Sequence, residues 1–154
     1  MTRTEPWDPA RARSIIDEHA ARPGAGLPIL HALQAEFGCI PADAIPLVAD
    51  ALNLSRAEIH GLVSFYHDFR EHPPGRRVLR LCRAEACQSM GGAALADALL
   101  ARHRVTWGET TADGALTIEP VYCLGLCATA PAALLDDAPL GRLDAASLDA
   151  ALTP

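Results

Sequence analysis

Two cysteine pairs constrain this chain more than any other feature. Cys82-x4-Cys87 and Cys123-x3-Cys127 are separated by thirty-five residues, and the fifth cysteine, Cys39, stands alone. The chain starts MTRTEPWDPARARS, without the apolar h-region of a signal peptide. No apolar run approaches the ~20 residues that cross a bilayer. The expected location is therefore the cytoplasm, with no direct membrane contact. Thiols are reduced there and structural disulfides are uncommon. Four paired thiols in that setting call for a chemical partner.

The rest of the chain says what holds them. With 154 residues, half of them apolar, it is long enough for one ordinary domain or two small ones. Aromatics make up only 5%, which favours helices over an all-β sandwich. The net charge is −6 and no Lys/Arg run exceeds two residues, so nothing suggests a nucleic-acid surface and none is expected. Asp8-Pro9 signals a helix start, with Asp as N-cap and Pro at the first position, running to about His19. The breaker stretch Arg22 to Gly26 follows. A second helix opens near Pro28, with Ile29, Leu30, Leu33 and Phe37 on one face and Gly38 as its C′ residue. Pro41 is expected to open a third, with Ile45, Val48 and Leu52 inward. Ser55-Arg56-Ala57-Glu58 is a capping box before Ile59, Leu62 and Val63. None of these pieces is long, so each must bury its stripe against the others in a small helical bundle.

Ser64-Phe65-Tyr66-His67-Asp68-Phe69 holds three of the chain's seven aromatics. It reads as a core plug in preference to a contact for a partner subunit. His72-Pro73-Pro74-Gly75 breaks the chain and places the boundary between a helical region, 1–74, and a second domain, 75–154. There the character changes. Val78 to Leu81 reads as a strand delivering Cys82, and Gly91 to His103 as a helix with Leu95, Ala98 and Leu99 inward. Asp113-Gly114 is a turn, and Leu116 to Glu119 alternates as a strand leading to Cys123. Ala132 to Leu135 and Leu140 to Leu143 read as short strands joined across Asp136 to Pro139, and Asp144 caps a last helix with Leu148 and Leu152. The order implies one sheet covered by helices, an α+β fold.

Each cysteine pair begins where a predicted strand ends. Strands ending together would bring both loops to one rim of the sheet, and four thiolates would converge. A [2Fe–2S] cluster needs four such ligands, two per iron. Structural zinc also accepts four cysteines, at overlapping spacings. The apolar loops, with Met90, Leu124 and Leu126, tilt the balance towards a buried redox centre. A dithiol oxidoreductase is a further rival, although no Cys-x-x-Cys occurs. Cys87 is expected to precede a helix whose dipole favours a negative cluster. Gly125 is expected to let the backbone approach it closely, with Gly91 and Gly92 doing the same on the other loop. Arg80 and Arg83 flank the first thiol and are placed to offset cluster charge. Cys39, at a helix end, reads as a small buried apolar residue. The six histidines form no zincin motif, and no phosphate-binding fingerprint follows a strand. The chain is not expected to be catalytic alone.

From Leu30 to Leu143, roughly three quarters of its length, the chain resembles the thioredoxin-like [2Fe–2S] subunits of NADH dehydrogenase complexes, NAD-reducing hydrogenases and NAD-dependent formate dehydrogenases. The resemblance rests on Ser64-Phe65-Tyr66, Pro74-Gly75, Cys82-x4-Cys87, Gly91, Thr111-Ala112-Asp113-Gly114, Cys123-Leu124-Gly125-Leu126-Cys127 and Ala130-Pro131. Cys82-Arg83-Ala84-Glu85-Ala86-Cys87-Gln88 and Phe65-Tyr66-His67-Asp68-Phe69 are most similar to the γ subunit of cytoplasmic formate dehydrogenase. The resemblance implies a helical N-terminal region followed by a thioredoxin-like domain. It implies one-electron transfer through a [2Fe–2S] cluster on Cys82, Cys87, Cys123 and Cys127. It also implies a flavin-containing NAD(H)-binding subunit as neighbour and, on the formate reading, a molybdenum-containing catalytic subunit. The equivalent subunit of an NAD-linked hydrogenase or NADH:quinone oxidoreductase, and a zinc-stabilised adaptor without redox activity, are the alternatives.

Overall fold

The computed structural model describes residues 5–153. Residues 1–4, part of the stretch on which the leader reading rests, lie outside the described residues. Two compact units meet in sequence at residues 73 and 74, and each is built around its own core.

In the first unit the cap signals place the helices. Helix α1 spans Pro9–Ala20, and the Asp8 carboxylate accepts the Ala10 N–H at 2.9 Å. Helix α2 spans Gly26–Phe37, two residues earlier than Pro28 suggests. It closes on Gly38 at φ +78°, a left-handed conformation that glycine adopts without strain. Helix α3 spans Ala44–Leu52. Pro41 does not open it, and Asp43 precedes it without a side-chain cap. Its buried residues are Ala44, Val48 and Ala49, while Ile45 and Leu52 are only partly covered. Helix α4 spans Arg56–Phe65 and starts with the expected box. The Glu58 N–H donates to the Ser55 hydroxyl at 3.2 Å, and the Ser55 N–H donates to the Glu58 carboxylate at 2.8 Å. Ile15, Ile16, Ile29, Leu30, Leu33, Val48 and Ile59 form the centre of this core. Each such side chain contributes about 1.5–3 kcal/mol by leaving water. The aromatic plug is only partly as expected. Phe69 is buried, but Phe65 and Tyr66 are 74% and 40% exposed. The helix ends at Phe65, so these two rings point past the last turn rather than into the apolar stripe.

The second unit is a four-stranded sheet in the order β2-β1-β3-β4. Strand β1 spans Arg77–Cys82 and β2 spans Leu116–Val121, paired in parallel. The crossover between them carries α5, Glu85–Ser89, and α6, Gly92–His103. Strands β3, Ala133–Leu135, and β4, Ala138–Leu140, continue the sheet antiparallel. Helix α7, Ala145–Leu152, closes it behind an Asp144/Ser147 capping box. Leu79, Leu81, Leu116 and Ile118 meet Ala96 and Leu99 of α6 and Leu148 of α7. Ala98 faces out instead, and Ala96 takes its place in the core. The last hairpin is tighter than expected. Only Asp136 and Asp137 link β3 to β4, because Asp136 adopts φ +57° and its carboxylate accepts the Val78 N–H at 2.9 Å. Pro139 is tolerated because β4 is an edge strand. The fold is α+β.

Candidate iron–sulfur site

The parallel pairing of β1 with β2 decides where the cysteines go. In its register Cys82 stands opposite Val121, so both chains leave the sheet at the same edge. Cys82 is the last residue of β1 and is buried, its N–H donating to the Ala132 carbonyl at 3.0 Å. Cys87 is also buried and precedes α6 as expected, but it lies within a further short helix, α5. The sequence missed this single helical turn because five residues are too short to show a period. Cys123 sits two residues beyond β2, and Cys127 opens a single 3-10 turn, Cys127–Thr129. Both are exposed. Their sulfurs are 4.0 Å apart, and the Gly125 N–H donates to Cys123 Sγ at 3.4 Å.

The pairs face one another. Burial pushes the Cys82 thiol up, but the net shift is downward. The backbone N–H of Ala84, the Cys87 thiol and the N–H groups of Cys123 and Leu124 all favour a negative Cys82 sulfur. Two of those donors come from the other loop. Cys87 is pushed up by burial first, then by donating to Cys82, and by the charges of Cys82 and Cys127. Cys127 is raised by its hydrogen bond with Cys123, by the charge there, by desolvation and by Cys82. Among the described residues no three His, Cys, Asp or Glu side chains are grouped as for one metal ion. The thiols stand as two facing pairs at one sheet edge. That donor set suits a two-iron cluster, which takes two sulfurs per iron, and N–H groups aimed at a sulfur are the usual means of tuning one.

The glycines of the two loops differ in what they require. Gly125 is left-handed, at φ +75°, a conformation glycine adopts without strain, and no protein atom lies within 4 Å of where a Cβ would stand. Gly91 is likewise left-handed, at φ +88°, with open space around it. Gly92 is the tight one. A Cβ there would lie 2.6 Å from the Cys87 carbonyl oxygen, so only glycine lets α6 begin directly on the backbone of that cysteine. The arginines also divide. Arg80 pairs with Glu119 across the strand register at 3.4 Å. Arg83 instead lies over the ring of Trp107, 5.0 Å from its centroid. Trp107 carried no periodic signal, being one aromatic in the loop after α6. Cys39 lies in the helical unit, buried, with its thiol pushed up by desolvation.

Residues 12–154 match the family described as "Thioredoxin-like [2Fe-2S] ferredoxin". An NADH-quinone oxidoreductase subunit of Rhizobium meliloti is 38% identical over 152 residues, covering 99% of this chain and 88% of the relative. An NADH-quinone oxidoreductase subunit of Pseudomonas aeruginosa is 33% identical over 113 residues, 73% of this chain and 68% of the relative. An NAD+-reducing [NiFe]-hydrogenase in the air-oxidised state superposes with a TM-score of 0.69 at 34% identity. That match covers 88% of this chain, which spans only 23% of the hydrogenase chain. In the H2-reduced state the TM-score is 0.66 at 36% identity, over 80% of this chain and 21% of the other. With a match over this length and relatives this similar, the chain belongs to the thioredoxin-like [2Fe–2S] ferredoxin family, whose cofactor is a [2Fe–2S] cluster.

Proposed function

We propose that this chain holds its cluster on Cys82, Cys87, Cys123 and Cys127 and serves as a one-electron relay in a cytoplasmic NAD-dependent formate dehydrogenase complex. The observation that carries the reading is the facing of the two thiol pairs at the common edge of β1 and β2. When bound, the cluster supplies a centre that takes up and gives up single electrons. The chain's own residues hold it, shield Cys82 and Cys87 from water and leave Cys123 and Cys127 at the surface. On this reading the domain at 75–154 carries the redox site, and the helical region at 1–74 accompanies it.

The neighbour that exchanges electrons with it is a flavin-containing NAD(H)-binding subunit, with a molybdenum-containing subunit acting on formate. Support for the formate reading comes from the wording of Cys82 to Gln88 and of Phe65 to Phe69. A second reading draws on the names of the relatives: the equivalent subunit of an NADH-quinone oxidoreductase or of an NAD+-reducing hydrogenase. The relay role is common to all three.

Anaerobic purification tests the site. The chain should carry about two irons and two acid-labile sulfides, and each of Cys82→Ser, Cys87→Ser, Cys123→Ser and Cys127→Ser should lose or badly destabilise that content. Cys39→Ser should keep it. Stoichiometric zinc without labile sulfide would replace the relay with a colourless structural adaptor.

A further inference from the structure

Arg83 follows Cys82 directly, and its backbone is tied to both thiol-bearing loops. Its N–H donates to the carbonyl of Val121 at 2.7 Å, two residues before Cys123. Its carbonyl accepts from Gln88 Nε2 at 3.0 Å, and Gln88 is the residue after Cys87. The side chain is fixed as well. Its guanidinium carbon lies 5.0 Å from the centroid of the Trp107 ring, a distance at which the face of the ring attracts a cation.

The ring in turn is anchored. Trp107 is half-buried and packs against the core of the second unit. Its neighbours are pinned to β2 and to each other. The Gly108 N–H donates to the Ile118 carbonyl at 2.8 Å, and the Thr106 N–H to the Glu109 carboxylate at 2.7 Å. A planar, always-charged guanidinium held over such a ring loses much of its freedom, whereas a solvated arginine would average over many rotamers. The contrast with Arg80 is informative. Arg80 faces the carboxylate of Glu119, so its field is largely cancelled at a distance. The face of Trp107 holds Arg83 without supplying a countercharge.

We propose that Arg83, held on the Trp107 ring, is a positioning residue that keeps a positive charge one residue along the chain from Cys82 and thereby favours the reduced state of the cysteine site. The proposal rests on the four-cysteine ligand reading above. Reduction adds one negative charge to the loaded site, so a nearby cation stabilises the reduced form more than the oxidised form and raises the potential.

Redox titration of the full-length, cluster-loaded chain tests it, after iron and labile sulfide have been counted. Arg83→Gln should shift the potential to more negative values, and the gap from wild type should shrink as ionic strength rises. Trp107→Leu should shift it the same way by less, because the charge stays but is no longer held. Trp107→Phe, which retains an aromatic face, should stay near wild type. In the Arg83→Gln background Trp107→Leu should add nothing. The paired change Arg80→Gln with Glu119→Gln should leave the potential where it was. Loaded Arg83→Gln at the wild-type potential overturns the proposal. So does a Trp107→Leu effect that persists without Arg83. If Arg83→Gln does not load, Arg83→Lys and Trp107→Leu decide, and wild-type potentials in both overturn it. Wild-type chain without about two irons would instead sink the ligand reading on which the proposal stands.

Discussion

Cys123 adopts φ +82°, the largest positive value among the described non-glycine residues. A residue with a Cβ pays about 1–3 kcal/mol for such a conformation and keeps it only where its surroundings insist. Here they do: the Gly125 N–H bonds its sulfur, and its own N–H faces Cys82. The placement of the two cysteine pairs at strand ends was legible from their spacing, whereas this strain was not, since nothing marks a cysteine as left-handed. Glycine shows the same limit. Gly92 and Gly61 look alike in sequence, each within a helical run, yet they should respond oppositely. Gly61 lies in α4, exposed, with nothing within 4 Å of an added Cβ. Gly61→Ala should therefore stabilise by about 0.5–1 kcal/mol through the entropy of the unfolded chain. Gly92→Ala would set its Cβ 2.6 Å from the Cys87 carbonyl oxygen, a backbone atom with little room to retreat. Overpacking of this kind outweighs the gain in helix propensity and should cost about 1–3 kcal/mol, with weaker iron retention. Thermal or urea melts of both variants read the two signs directly.

At the scale of the element, side-chain caps separate what could be foreseen from what could not. Asp8, Ser55 and Asp144 each announced a helix, and each accepts a backbone N–H at its start. Helix α3 has no side-chain cap, and its start was misplaced at Pro41. Helix α5 is a single turn between β1 and α6, too short to show a period in the sequence. The box on α4 makes a test with a definite sign. The Ser55 N–H, and then its hydroxyl, hold the Glu58 carboxyl below the ordinary carboxylate range. Because the folded value is the lower one, the carboxylate's contribution is complete above the unfolded value of about 4.3 and is lost as pH falls through the folded value. Glu58→Gln should accordingly melt below wild type at neutral pH, and the two curves should converge below about pH 4. Ser55→Ala should cost about 1 kcal/mol at neutral pH, the usual penalty for an empty N-cap. A gap for Glu58→Gln that widened in acid would show that the box does not act through the ionised carboxylate.

At the scale of the whole molecule, a single sheet covered by helices could be anticipated because alternation, turn residues and two strand-end cysteines all agreed, whereas the strand order β2-β1-β3-β4 could not. The aromatic run at Phe65 to Phe69 could not be resolved in the same way, since hydrophobicity alone does not say that α4 stops at Phe65 and leaves two of the three rings outside the core. On the proposed function the chain works within a larger assembly. Four of its five cysteines follow the strand ends at one sheet edge, and no nucleotide fingerprint accompanies them in the sequence. A relay of this kind has to receive electrons from one protein and give them to another. Co-expressed with its neighbouring genes, the chain should copurify with a flavoprotein in stable proportion. NADH should then reduce the cluster in the complex, as followed by electron resonance. Formate should reduce it too on the proposed function, whereas a hydrogenase-type complex would respond to hydrogen and a respiratory type to neither. A complex reduced by NADH but never by formate would keep the relay and discard the formate dehydrogenase assignment. A chain that loads its cluster but copurifies with no flavoprotein would discard the proposed neighbour and leave the four-cysteine site standing by itself.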